Sequence, residues 1–158
     1  MTIEIGQFAP NFSLPSDEGS DFNLAELKGK NVVIYFYPKD DTPGCTIEAQ
    51  DFSKKIAEFE KLDCVVVGIS RDSVDSHCKF IQKYNLKISL LADNDGEVCK
   101  LFDVIREKSM FGKKYLGIDR STFLIDKLGK VVAVWNSVKV KGHVEEVLKT
   151  LEKHTKST

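Results

Sequence analysis

The sequence predicts an α/β fold, a mixed central sheet with helices on both faces. Three observations lead there. Residues 31–37 and 62–70 are apolar without alternation, the pattern of strands covered on both faces. Each is followed by a stretch whose apolar residues recur at helical spacing. Further on, residues 121–125 and 131–135 read as two strands joined at Asp126-Lys127-Leu128-Gly129-Lys130, a hairpin signal, ahead of a final amphipathic helix.

Taken in order, residues 8–15 alternate apolar and polar side chains between prolines and read as a short edge strand or extended segment. Residues 16–20 form a turn. Phe22-Asn23-Leu24 is a second extended piece, and residues 24–27 make one helical turn ended by Gly29. After the first central strand, residues 45–61 form one helix, with Ile47, Ala49, Phe52, Ile56 and Phe59 recurring at roughly helical spacing. The second strand, 62–70, is followed by Asp72 or Ser73 as a cap and a helix to about Tyr84. Val74, His77, Ile81 and Tyr84 point inward there, and Cys78 lies at the edge of that stripe. Residues 88–91 are a third short strand. Asp93-Asn94-Asp95-Gly96 turns into a helix through Phe102; this acidic cluster lacks the full calcium-loop pattern. Residues 107–117 are mixed and read as a loop. Residues 144–154 close the chain as an amphipathic helix, and the last few residues should fray. With no repeat, linker or low-complexity stretch, a single domain over residues 1–158 is expected.

The composition, 42% hydrophobic and 30% charged, is that of an ordinary soluble globular chain. Lys and Arg number 23 against 24 acidic residues, a net charge of −1, so there is no overall electrostatic case for nucleic acid or an anionic membrane as partner. The N-terminus lacks a basic region followed by an apolar core, and no apolar run approaches membrane-spanning length. No signal peptide is read, and a cytoplasmic location is expected. The four cysteines, Cys45, Cys64, Cys78 and Cys99, include no Cys-x-x-Cys pair. That argues against a structural zinc site and against a dithiol redox motif; neither a metal nor a cofactor is expected, and the thiols should be reduced at rest.

One stretch carries the chemistry: Tyr37-Pro38-Lys39-Asp40-Asp41-Thr42-Pro43-Gly44-Cys45-Thr46. It joins a buried strand to a helix and sets a cysteine on the first turn. There the unpaired backbone N–H groups and the positive end of the helix dipole favour thiolate over thiol. Pro38 and Pro43 fix φ, and Pro43-Gly44 punctuates the loop just before Cys45. Thr42 lies three residues before Cys45, so its hydroxyl can turn back toward the sulfur.

Pro38, Thr42 and Cys45 match the Pro-x-x-x-Thr-x-x-Cys motif of peroxiredoxins, and Thr42-Pro43-Gly44-Cys45-Thr46 resembles the bacterioferritin comigratory protein (PrxQ) branch of that family. Arg120-Ser121-Thr122-Phe123-Leu124-Ile125-Asp126 is similar to the family segment that carries an active-site arginine. The resemblance covers essentially the whole chain. It implies a thioredoxin-like fold and a thiol peroxidase that reduces hydrogen peroxide and organic hydroperoxides. In that reading Cys45 is the nucleophile. Thr42 accepts a hydrogen bond from the peroxide or donates one to the sulfur. Arg120 supports the thiolate and polarises the peroxide, and Pro38 shields the sulfur from water. The residue chemistry independently permits these roles.

The sulfenic acid formed on Cys45 must be returned to thiol. In many members of the branch a resolving cysteine stands five residues after the nucleophile; here that residue is Gln50. Another group resolves from the later helix, at a position aligned with Ile81. Cys78 is one turn before Ile81, and residues three apart share a helix face, so Cys78 is the candidate, weighed evenly against a packing role. Cys64 and Cys99 read as packing residues. Thioredoxin or a similar thiol is the expected reductant and a monomer or weak dimer the expected state. The alternatives are a one-cysteine peroxidase using an external thiol, a thiol–disulfide oxidoreductase, or a non-enzymatic redox sensor or holdase.

Overall fold

The computed structural model describes residues 3–156. Its centre is a five-stranded sheet of order β5-β4-β3-β8-β9, built from Asn31–Phe36 (β3), Cys64–Ser70 (β4), Ser89–Ala92 (β5), Ser121–Ile125 (β8) and Val131–Trp135 (β9). β4 runs parallel to both β3 and β5, whereas β8 runs antiparallel to β3 and β9. This is the mixed sheet that the two buried runs and the late hairpin predict. Ser13–Pro15 (β1) and Asp21–Asn23 (β2) make a small separate ladder, followed by a 3₁₀ turn over Leu24–Leu27 that Asn23 caps.

Alternation along β3 divides the core. Val32, Ile34 and Phe36 join one cluster with Phe12, Leu14, Val98, Phe102 and Phe123. Val33, Tyr35 and Tyr37 join the other with Ala49, Phe52, Phe59, Phe80, Val147 and Leu151. Helices Pro43–Lys54 (α1), Ile56–Lys61 (α2), Val74–Tyr84 (α3) and His143–Lys156 (α5) therefore supply the second face. Glu97–Leu101 (α4) and the N-terminal ladder cover the first. The crossovers β3-α1/α2-β4 and β4-α3-β5 step across the sheet in the same direction, and the right-handed rule for such connections then places α1 and α3 on the same side, as observed. The arrangement is thioredoxin-like.

Several boundaries differ from expectation. The helix read as 45–61 starts two residues earlier, at Pro43, and breaks at Lys55 (φ −101°, ψ 5°) without a Gly or Pro to mark it. The first central strand ends at Phe36 and the second begins at Cys64. Residues read as a loop form a hairpin, Ile105–Met110 (β6) with Lys113–Ile118 (β7). Its two-residue turn, Phe111-Gly112, has φ of +53° and +77°, the handedness that tight hairpins favour. Most of its side chains are exposed, so no apolar alternation announces it. In α3 His77 and Phe80 are the fully buried residues; Ile81 and Tyr84 are partly buried and pack against the same core, and Phe80 is the inward residue the stripe left out. Asp93 accepts from the amides of Val98 and Cys99, so its carboxylate caps α4. α5 continues through Lys156; the part of the expected fraying that falls on Ser157 and Thr158 lies outside the described residues.

Candidate functional site

β3 ends against the loop 37–42, and Thr42, in extended conformation, opens α1 as its N-cap. Pro43 and Gly44 occupy the first two helical positions and Cys45 the third. Pro is preorganised for that first position. The Cys45 thiol therefore sits in the first turn of α1, just after the N-cap. Cys45 is 1% exposed.

The antiparallel register of β3 with β8 pairs Phe36 with Ser121, so Arg120 lies one residue beyond the ladder, level with the start of the loop. Its Nη2 donates to Cys45 Sγ at 3.4 Å and its Nη1 to Glu48 Oε1 at 2.6 Å. Burial works against the Arg120 charge, but the Glu48 carboxylate and the Cys45 sulfur more than offset it, and its pKa stands above the ordinary value. Gly44 gives this guanidinium room: a Cβ there would lie 3.2 Å from Nη2. The structure thus brings together Cys45 and Arg120, 75 residues apart in sequence.

Thr42 and Pro38, both half-buried, lie on the loop that leads into α1. The Thr42 hydroxyl donates to the Lys39 carbonyl at 2.9 Å rather than to the sulfur. With its proton committed, Oγ1 is left as an acceptor. Cys78 is not brought to Cys45. Its Sγ donates to the carbonyl of Asp17 at 3.3 Å, and Asp17 exchanges hydrogen bonds with Leu90 of β5. Arg120 stands at the start of β8, and two strands, β4 and β3, separate β5 from β8. Cys64 and Cys99 are buried, and desolvation pushes the Cys64 thiol up to about 12 and the Cys99 thiol higher still, as suits packing residues.

Glu48 was not singled out by its sequence context. It is 0% exposed, one oxygen holds Arg120, and the other has no hydrogen-bond partner. Burial raises its pKa from 4.5 to about 7, with Arg120 pulling the other way. Tyr35, whose hydroxyl is likewise buried without a partner, has its pKa raised by desolvation first and then by the charges of Glu48, Cys45 and Asp40. Beyond it, His143 Nε2 pairs with Thr122 Oγ1 at 2.8 Å, and burial lowers its pKa to about 4. A neutral imidazole there adds no positive charge to the site at neutral pH. The one sequence signal for Glu48 was its spacing, three residues after Cys45 and so on the same helix face.

The AhpC/TSA family model matches residues 5–134. The peroxiredoxin Bcp of Bacillus subtilis is 52% identical over 152 residues, covering 96% of this chain and 97% of its own. Among solved structures, the bacterioferritin comigratory protein of Xanthomonas campestris, described for its alkyl peroxide reduction activity, superposes with a TM-score of 0.88. It is 44% identical and covers 97% of this chain and 98% of its own. A PrxQ cysteine-to-serine mutant from Xylella fastidiosa gives a TM-score of 0.92 at 40% identity, covering 98% of each chain. No helix among the described residues is long and apolar enough to cross a membrane.

Proposed function

The chain belongs to the AhpC/TSA family, as a Bcp-type peroxiredoxin and so a thiol peroxidase, and on that premise we propose that Cys45 is the sulfur that attacks the peroxide. The observation that carries the assignment is the 3.4 Å contact from Arg120 Nη2 to Sγ at the first turn of α1. The Cys45 thiolate attacks one peroxide oxygen. An S–O bond forms, the O–O bond breaks, and the second oxygen leaves as hydroxide or alkoxide, protonated to water or alcohol. The sulfur is oxidised by two electrons to the sulfenic acid. Arg120 holds the thiolate and donates to the oxygen on which charge develops. Thr42 accepts the hydrogen bond of the incoming hydroperoxide, and Pro38 covers the sulfur.

The substrates are hydrogen peroxide and organic hydroperoxides; the activity described for the Xanthomonas protein supports the second class. Resolution follows when Cys78 attacks the sulfenic sulfur, expelling water and leaving a disulfide that thioredoxin or a similar thiol reduces. The protein works as one domain, monomeric or weakly dimeric, in the cytoplasm. The test is steady-state consumption of peroxide with a thioredoxin system. Cys45→Ser is expected to abolish turnover while keeping the far-UV spectrum and melting temperature of the parent; turnover near the parent rate would sink the assignment.

A further inference from the structure

Two adjacent aspartates of the loop before α1, unused by the chemistry above, tie that loop to α3. Asp40 is 7% exposed. Its Oδ1 accepts from Tyr37 Oη at 2.5 Å. Its Oδ2 accepts from Ser76 Oγ at 2.8 Å and lies 2.7 Å from His77 Nδ1. Its amide donates to Asp72 Oδ2 at 2.8 Å. His77 is 0% exposed, and its other nitrogen, Nε2, lies 2.9 Å from the carbonyl oxygen of Leu91. A carbonyl only accepts, so Nε2 carries a proton, and one further proton lies between Nδ1 and Asp40 Oδ2. The result is a short, buried, charge-assisted hydrogen bond. Asp41, held at φ +58°, accepts from Tyr84 Oη at 2.6 Å and from Lys83 Nζ at 2.8 Å. Ser76, His77, Lys83 and Tyr84 all belong to α3.

We propose that Asp40 and His77 are positioning residues: their buried pair clamps the 38–42 loop to α3 in the form that receives peroxide, and release of this clamp admits the reducing thiol to oxidised Cys45. The proposal rests on Cys45 being the attacking sulfur. Thr42 and Cys45 follow Asp40 by two and five residues, so the clamp fixes the ground on which both stand. Cys45 is 1% exposed, and a thiol from Cys78 or from solution cannot reach a sulfur so covered until the loop moves. The same bonds that favour the first half of the cycle therefore oppose the second. Removing one partner leaves the other buried without its counterpart and weakens the tie.

The test takes the full chain carrying Cys78→Ser as the parent, so that sulfenic acid on Cys45 is not consumed internally, with Cys45→Ser added as the blank and His77→Gln added as the variant, each checked for folding by circular dichroism and melting. Rapid mixing reads two rates separately: consumption of hydrogen peroxide by reduced protein, and capture of the sulfenic acid by thionitrobenzoate, a coloured small thiol. His77→Gln is expected to slow the first by roughly tenfold, the scale of one lost charge-assisted hydrogen bond, and to speed the second by a similar factor. Parent values for both rates, or a fall in both that only tracks lost folded protein, would overturn the proposal. Should the variant not fold, hydrogen exchange of the reduced parent decides. The amides of residues 39–42 and 44–46 and of α3 are expected to open with a common protection, and loop amides that exchange independently of α3 would overturn it. A parent that consumes no more peroxide than the Cys45→Ser blank would instead remove the reading of Cys45 on which the clamp depends.

Discussion

Glu48 sits where a carboxylate is costly: wholly buried, with Arg120 on one oxygen and nothing on the other. Its folded pKa, about 7, is above its ordinary 4.5, so between those values the folded protein holds a proton that the unfolded chain has lost. The unfolding free energy contributed by Glu48 therefore falls as pH rises through that window. Glu48→Gln keeps an acceptor for Arg120 and removes the titration. The melting temperature of the variant, relative to the parent, is expected to improve from pH 5 to about pH 7 and to level off above it, and a constant difference from pH 5 to pH 7 would contradict the buried-acid account. At this scale the contact of Cys45 with Arg120 joins two residues that were legible as site candidates, because the loop-helix motif and the pre-strand arginine have distinct chemistry. Glu48 was not, because an acid near the start of a helix reads as a solvated residue. Only the pairing with Arg120, 72 residues away, reveals it. The Thr42 hydroxyl was legible as a site group but not in its orientation, which the Lys39 carbonyl decides.

Elements show the same division. Strands β3 and β4 were legible because burial on both faces writes a nearly unbroken apolar run, and β8 and β9 because a turn signal joins two strand-like runs. The β6-β7 hairpin was not, since its exposed residues leave no alternation to read. The break at Lys55 has no local breaker residue, and the ring contact of Phe52 with Phe59 spans it at 6.0 Å. Helix α1 gives a test that separates helix stability from site geometry. Gly44 has no positive φ, so Ala fits the backbone, and Ala is the better helix former by about 1 kcal/mol. Its Cβ, however, would stand 3.2 Å from Arg120 Nη2 and push the guanidinium aside by a few tenths of an ångström. Gly44→Ala is expected to melt at or above the parent temperature while its peroxide rate falls roughly tenfold, the penalty of a small misplacement. A melting temperature and peroxide rate both equal to the parent's would show that Arg120 does not need the space Gly44 leaves.

At the scale of the whole molecule, the order of strands and helices was enough to fix the mixed sheet, because right-handed crossovers leave few ways to connect β3, β4 and β5. What order alone does not give is distance across the sheet, and that matters most for Cys78. Its Sγ is engaged with Asp17 beside β5, whereas Cys45 is engaged with Arg120 at the start of β8. A disulfide requires Cα atoms within about 7 Å, and adjacent strands alone are spaced by about 5 Å. Joining the two cysteines therefore requires the first turn of α1 to unwind and α3 to yield around Cys78. Helix ends are inexpensive places for such opening, because their terminal groups already lack intrahelical partners. Protein treated with one equivalent of peroxide is expected to yield a Cys45–Cys78 peptide on mapping, formed within one chain and independent of protein concentration. Cys78→Ser should accumulate sulfenic acid and lose about nine-tenths or more of its thioredoxin-supported turnover, as a resolving residue must, while its first turnover with peroxide stays at the parent rate. Full steady-state turnover in Cys78→Ser, or a link from Cys45 to Cys64 or Cys99, would exclude Cys78 as the resolving residue and leave an external thiol, or another of the chain's cysteines, to complete the cycle.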